Sequence, residues 1–222
     1  QGTSARVRAR GSTLQLLGLL ADGNVHSHID HLFALLRRCD HESIERVRVH
    51  VLLDGRDVAE TSALDYVDAL EELLESISRA PRRDYRIASG GGRMTTTMDR
   101  YGADWPMVER GWQTHVHGEA RGFPSCRRAI ETFRAEKPGI GDQQLPQFAV
   151  VDGEGRPVGA MRDGDAVLFY NYRGDRPREI TKAFVMDGFA EFPRGPKLDL
   201  YYATMTEDEA GLPVHVVSTK PE

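Results

Sequence analysis

Residues 47–58, VRVHVLLDGRDV, alternate apolar and polar side chains, turn wholly apolar, and stop on Asp54-Gly55-Arg56-Asp57. A run ending in consecutive aliphatic residues is a strand covered on both faces, since an exposed face would leave those side chains in water. A chain holding such a strand has few architectures open to it. The strand belongs in a sheet with helices on either side, and its polar tip lies where open α/β sheets bind ligands, past the carboxyl ends of the strands.

The rest of the chain repeats the same unit. Residues 13–20 (TLQLLGLL) read as a buried strand, followed by a turn at 21–24 and a helix over 28–38, with Ser27 as its N-cap. After the strand at 46–53, Thr61 or Ser62 caps an amphipathic helix reaching about residue 77, with Leu64, Val67, Leu70, Leu73 and Leu74 on one side. A short strand at 85–89 runs into three glycines. Helices follow at 104–116, with an early proline that a first turn tolerates, and at 125–135. Residues 148–151 and 158–161 flank Asp-Gly-Glu-Gly-Arg-Pro as a β-hairpin. A strand at 167–172, a helix at 175–186 and a strand at 198–205 complete the pattern. The expected fold is α/β: three layers, α/β/α, with a mainly parallel sheet and a peripheral β-hairpin. Residues 1–12 read as a flexible, frayed lead-in, 13–213 as one domain and 214–222 as a linker.

The 222 residues carry a net charge of −5, which argues against a general nucleic-acid or membrane surface. No apolar run approaches the roughly 18 residues that span a bilayer. Cys39 and Cys126 stand alone outside any CxxC pattern, as reduced thiols of a cytoplasmic protein do. Of the 29 basic residues, 25 are arginine. Base composition of the gene accounts for most of that excess, but not for Arg93, Arg100, Arg173 and Arg176 in Gly- and Asp-rich turns.

Four polar turns follow strands and therefore gather on one edge of the sheet. The first carries His26-Ser27-His28-Ile29-Asp30-His31, an HxHxDH string able to ligate zinc, as in metallo-β-lactamase-like hydrolases. The apolar spacing from Ile29 onward continues as a helix, which turns His28 and His31 to its flank and leaves His26 at a helix start, where anions bind. In the second, Asp54-Gly55 reads as turn chemistry, while Arg56-Asp57 sets a cation beside a carboxylate that can exchange a proton with a hydroxyl. The third, Gly90-Gly91-Gly92-Arg93, reads as a plain loop or as backbone N–H groups approaching an anion with Arg93 adding a bidentate grip; Arg100 brings a second cation. It lacks the Lys-Ser/Thr of a P-loop. The fourth, Asn171-Tyr172-Arg173-Gly174-Asp175-Arg176, aims two guanidiniums near a helix start, with Asp175 as a helix-starting residue. Together the turns describe a site for a small polyanion, because the planar guanidinium fork suits carboxylate and phosphate.

These segments occur in order as LLGLLADGNVHSHIDHLFALL, VHVLLDGRDV, IASGGGRMTTTMDRY and FYNYRGDRPREITKAF. With YYATMTEDEAGLPV they closely resemble the cofactor-independent (2,3-bisphosphoglycerate-independent) phosphoglycerate mutases over about residues 13–213. The likeness is to the inserted phosphotransferase, or substrate-orienting, domain only. The resemblance implies a second, alkaline-phosphatase-like domain with a phosphorylated serine and two Mn²⁺ or Mg²⁺ ions, whose motifs are not in this chain, and no cofactor in this domain. It implies that His26 contacts substrate, and that Arg56 and Asp57 hold the glycerate, with Asp57 as the acid–base group. Arg93, Arg100, Arg173 and Arg176 would clamp carboxylate and phosphate. Asn24 stands where many members have glycine, and the 93–100 loop is one residue longer than a common bacterial form.

The implied activity is interconversion of 3- and 2-phosphoglycerate in glycolysis and gluconeogenesis, in the cytoplasm, by a monomer whose two domains close on the substrate. This chain alone would be inactive for want of nucleophile and metals. Two other readings stand beside it: a stand-alone zinc hydrolase using HxHxDH, and a non-enzymatic sensor of a phosphorylated metabolite.

Overall fold

The computed structural model describes residues 2–99, 102, 104–207 and 209–217. The central strands are the aliphatic runs. Strand β1 (Leu14–Leu20) lies between β2 (Arg46–Leu53) and β6 (Ala166–Phe169), parallel to both, and β2 pairs in parallel with β3 (Asp84–Gly92). On the far side β6 continues in parallel to β7 (Tyr201–Thr204) and β8 (His215–Val216). Strands β4 (Arg121–Phe123) and β5 (Phe148–Val150) are parallel to each other, and β5 joins β3 antiparallel. The described residues form one eight-stranded sheet in the order β4-β5-β3-β2-β1-β6-β7-β8. The chain winds outward from β1 in one direction and then in the other. The switch in winding falls between the carboxyl ends of β1 and β6, the place where such sheets open a ligand crevice.

Period-2 alternation along β1 and β2 divides the core. Leu14, Leu16 and Leu20 with Val47, Val49, Val51 and Leu53 face one layer, packing on α2 (Ile29–His41), α3 (Ala63–Ser78) and α5 (Cys126–Glu136). Leu17, Leu19 and Leu52 face the other, where α4 (Trp105–His117) and α6 (Arg178–Val185) supply Trp112, Val116, Ile180 and Phe184. This is the expected three-layer α/β/α fold. Trp112 is the largest fully buried side chain, with its ring 4.9 Å from that of Phe184.

Local chemistry sets the helix ends. Asp104 accepts from Met107 N at the start of α4, and Gly118, in the left-handed region at φ 68, ends it. Ser125 caps α5 by accepting from Arg128 N. Two expected caps differ. For α2 the cap is His28, whose Nδ1 accepts from Asp30 N, while the Ser27 hydroxyl donates to Leu19 O. For α3, Ser62 makes no side-chain cap; Asp142 Oδ2 accepts from Ala63 N at 2.8 Å instead. A distant carboxylate thereby does what a local hydroxyl was expected to do.

Residues 2–10 and 215–216 are more structured than expected. In place of a frayed lead-in stands α1 (Gly2–Arg10), anchored by Val7, which is buried in the first core layer. Residues expected as linker include β8, an edge strand of the sheet. The peripheral hairpin is reduced: Val151 and Pro157 form an isolated antiparallel bridge, but 158–161 is no strand, and β5 gives its pairing to β3 and β4.

Candidate functional site

The loops after β1, β2, β3 and β6 converge at the carboxyl edge beside the switch point. Hydrogen bonds join the first and last of them. Leu19 N donates to Asn171 Oδ1 (3.0 Å), Tyr172 N to His26 O (2.8 Å) and Tyr172 OH to Asn24 Oδ1 (2.6 Å). Asn24 has φ 58, a left-handed conformation that glycine or asparagine accepts at little cost, which is the physical reason glycine suits that position. Gly23 passes so close to the β2 loop that a Cβ there would lie 2.9 Å from Asp57 Cβ.

An open cleft of about 170 Å³ results, and His26, Arg56, Asp57, Arg93, Arg173 and Arg176 all line it. Arg100, the seventh candidate, lies outside the described residues. A larger hollow, about 520 Å³, sits at the opposite, amino-terminal edge among Val7, Gly11, Arg46 and Arg82. Two of its guanidiniums lie beside carboxylates, Arg82 on Glu45 and Arg8 near Glu42.

Arg93 is the hub of the cleft. It is 2% exposed, and its Nη1 donates to Asp54 Oδ1 (2.8 Å) and Asp57 Oδ2 (2.7 Å) while Nη2 meets His26 Nε2 at 3.1 Å. A guanidinium can only donate, so Nε2 of His26 is the acceptor and the ring proton sits on Nδ1. Burial, reinforced by the Arg93 charge, lowers the His26 pKa to about 4, so the ring is neutral at pH 7. Its Nδ1 lies 3.8 Å from Asp175 Oδ1, which also forms an ion pair with Arg173 Nε at 3.1 Å. Arg176 Nη1 donates to Met98 O at 3.3 Å. Arg56 is exposed and makes no side-chain hydrogen bond or ion pair among the described residues.

Asp54 does more than turn chemistry: besides accepting from Arg56 N and Asp57 N, it holds Arg93. Asp175 is not a helix-starting residue, because α6 begins at Arg178 after Pro177; it faces His26 and Arg173. Both acids were visible in the sequence, but ordinary local explanations concealed them.

The three glycines are not an anion cradle. They end β3, where Gly90 and Gly91 pair with Val51 and Leu52 of β2, and the amides that follow already serve the protein: Gly92 N donates to Leu145 O, Arg93 N to Leu53 O and Met94 N to Gln143 O. A Cβ on Gly92 would lie 2.3 Å from Gln143 O, so glycine is needed there for close backbone packing.

The HxHxDH string does not form a metal centre. His28 caps α2, His26 faces Arg93, and no group of three or more His, Cys, Asp or Glu among the described residues could hold an ion. The carboxylates of the cleft lie against guanidiniums, a donor set unsuited to a divalent cation.

Comparison with known proteins agrees with this geometry. The family model described as "BPG-independent PGAM N-terminus" matches residues 1–210. The chain belongs to that family, the 2,3-bisphosphoglycerate-independent phosphoglycerate mutases. A probable mutase of this kind from Leptospira interrogans is 55% identical over 205 residues, which are 92% of this chain and 37% of that protein. The Trypanosoma brucei brucei mutase is 44% identical over 214 residues, 96% of this chain and 39% of its own length. A crystal structure of Leishmania mexicana phosphoglycerate mutase at low cobalt concentration matches with a TM-score of 0.95 and 44% identity, over 99% of this chain and 40% of that one. The chain thus spans about two-fifths of the length of these relatives, at their N-terminal domain. No helix among the described residues is long and apolar enough to cross a membrane.

Proposed function

We propose that this chain is the substrate-orienting domain of an enzyme interconverting 3- and 2-phosphoglycerate. The observation that carries this reading is the cleft itself, where six residues expected from four separate loops meet, the buried Arg93 among them. Arg56, Arg173 and Arg176 supply cations for a carboxylate and a phosphate. Arg93 holds Asp57 by one oxygen and leaves the other without a protein partner among the described residues, free to take a hydroxyl proton and return it. Neutral His26 offers its Nδ1–H as a donor to a substrate oxygen. Arg100 is the further clamp in this reading.

In the reaction, the phosphoryl group of 3-phosphoglycerate passes to a serine of a second, phosphatase-like domain of the same protein, which also holds two Mn²⁺ or Mg²⁺ ions. The departing 3-oxygen takes a proton from Asp57, the glycerate turns among the arginines, and its 2-hydroxyl takes the phosphoryl group back while giving its proton to Asp57, which ends the cycle as it began. The role of this domain is to hold and reorient the substrate, so catalysis here comes from position and charge. The chain alone has no turnover. The reading implies a cytoplasmic, monomeric enzyme of glycolysis and gluconeogenesis, and the two buried, unpaired cysteines fit a reducing compartment.

The test is calorimetric titration of 3-phosphoglycerate into the chain with EDTA present. A charge-assisted contact contributes roughly 1.5–3 kcal/mol, and an exposed one falls at the low end. Arg56→Ala should therefore weaken binding about tenfold while leaving the melting temperature unchanged. No binding at millimolar ligand, or equal affinity in Arg56→Ala, overturns the reading.

A further inference from the structure

Beneath the cleft, in the layer between the sheet and α4, lies a line of buried polar groups that the proposed chemistry does not use. Asp165, Gln15, His50, Ser89, His115, Thr97 and Thr96 are each 5% exposed or less. Successive contacts measure 3.3 Å (Gln15 Nε2 to Asp165 Oδ2), 2.6 Å (His50 Nε2 to Gln15 Oε1), 2.6 Å (His50 Nδ1 to Ser89 Oγ) and 2.7 Å (Ser89 Oγ to His115 Nδ1). The line ends with His115 Nε2 to Thr97 Oγ1 at 2.9 Å and Thr97 Oγ1 to Thr96 Oγ1 at 3.0 Å.

Every proton in this line has one consistent place. Asp165 accepts from Thr13 N and Arg162 N, so its carboxylate also takes the Gln15 amide hydrogen, and Gln15 Oε1 is left to accept from His50 Nε2–H. Burial keeps both rings neutral; the His115 pKa is lowered to about 3 and that of His50 well below its ordinary value. His50 Nδ1 must then accept from the Ser89 hydroxyl, Ser89 from His115 Nδ1–H, and His115 Nε2 from Thr97. All donors point from the carboxyl edge of the sheet towards Asp165 at its amino edge.

Burying this many polar groups in a sheet core is costly unless all are satisfied, and apolar residues would fill the space more cheaply. What the line holds gives the reason for it. Thr97 has φ 73, a left-handed conformation that a β-branched residue resists. The turn it belongs to begins with Arg93, folds back by Thr95 N and Thr96 N donating to Gly92 O, and presents Met98 O to Arg176.

We propose that His115 is a positioning residue of the cleft: gripped by Ser89, it holds Thr97 in its strained conformation and so fixes the 92–98 turn that aims Arg93 and anchors Arg176. The consequence for substrate binding rests on the phosphoglycerate reading; the consequence for the turn does not.

The experiment therefore has two arms, applied to His115→Phe, which fills the space without the hydrogen bonds, and His115→Gln, whose amide can replace both. Thr97→Val and Thr97→Ser form the parallel pair should His115→Phe not fold. In the first arm, hydrogen exchange of the Arg93, Met94 and Thr97 amides is compared with a core amide such as Tyr170. The Phe variant (or Val) should speed exchange in the turn at least tenfold relative to the core, and Gln (or Ser) should restore it. In the second arm, the dissociation constant for 3-phosphoglycerate should rise about tenfold and recover in the same way. Exchange that rises equally in turn and core shows a merely structural role and overturns the proposal, as does a loosened turn with unchanged affinity. A parent chain that binds no 3-phosphoglycerate refutes the functional reading instead, and the exchange arm then decides the role of His115 alone.

Discussion

Arg93→Met tests the centre of the site most directly. The substitution keeps the length and much of the apolar volume of the side chain and removes its charge. Asp54, whose side chain is 1% exposed, then loses its only cationic partner among the described residues, and Asp57, 18% exposed, loses its own. Removing one member of a buried ion pair leaves an uncompensated charge and costs roughly 3–5 kcal/mol. Two backbone amides, Arg56 N and Asp57 N, still donate to Asp54, so the low end of that range, about 3 kcal/mol, is expected. With a urea slope of about 2 kcal/mol/M, the unfolding midpoint should fall by about 1.5 M. Asp54→Asn removes the stranded charge and keeps an acceptor for both amides. The double variant should therefore recover part of the loss, with a coupling energy of about 2 kcal/mol in the cycle. If the two substitutions add to within about 0.5 kcal/mol, Arg93 and Asp54 do not act as a pair and the hub assignment is wrong.

Two further outcomes follow from other groups. His26 has a folded pKa of about 4 against 6.5 unfolded, so the unfolded chain gains a proton first; stability is complete above pH 6.5 and declines as pH falls towards 4, by about 3 kcal/mol at most. His50 and His115 contribute with the same sign, so urea midpoints of His26→Gln and the parent are compared at pH 7.5 and 4.5; the variant should lose less on acidification, and equal losses would count against a neutral His26 facing Arg93, Arg173, Asp57 and Asp175. Asp142→Ala removes both the cap on Ala63 N and the pairing with Arg134, and should cost about 2 kcal/mol by thermal or urea unfolding, whereas Ser62→Ala should cost under about 0.5 kcal/mol.

Much of the fold was legible because the signals are local. The aliphatic runs at Leu16–Leu20 and Val49–Leu53 could only be buried strands, and the spacing of Val67, Leu70 and Leu74 could only be one helical face. Ser125 and Asp104 cap the helices that directly follow them. Several of the readings that failed are those in which a distant group displaced a local one. Ser62 yielded its capping role to Asp142, and the 158–161 arm of the hairpin yielded its pairing partner to β3 and β4. The expected frayed start became a helix because Val7 finds a place in the core, which a polar, arginine-rich segment does not advertise.

The chain's own order of residues determined the layers, the strand tips and the arginine-bearing turns, since hydrophobic period and turn chemistry act between neighbours within a few residues. It also carried the family motifs. Tertiary structure alone decided what those turns do to one another. Arg93 draws Asp54, Asp57 and His26 together from two other loops, and the burial that results makes the histidine neutral. Arg48 is fully buried with its guanidinium satisfied by Asp84, Val47 O and Val158 O. Charge state, desolvation and hydrogen-bond direction depend on what fills the space around a group, and in a sheet wound both ways from β1 that space is filled from distant parts of the chain.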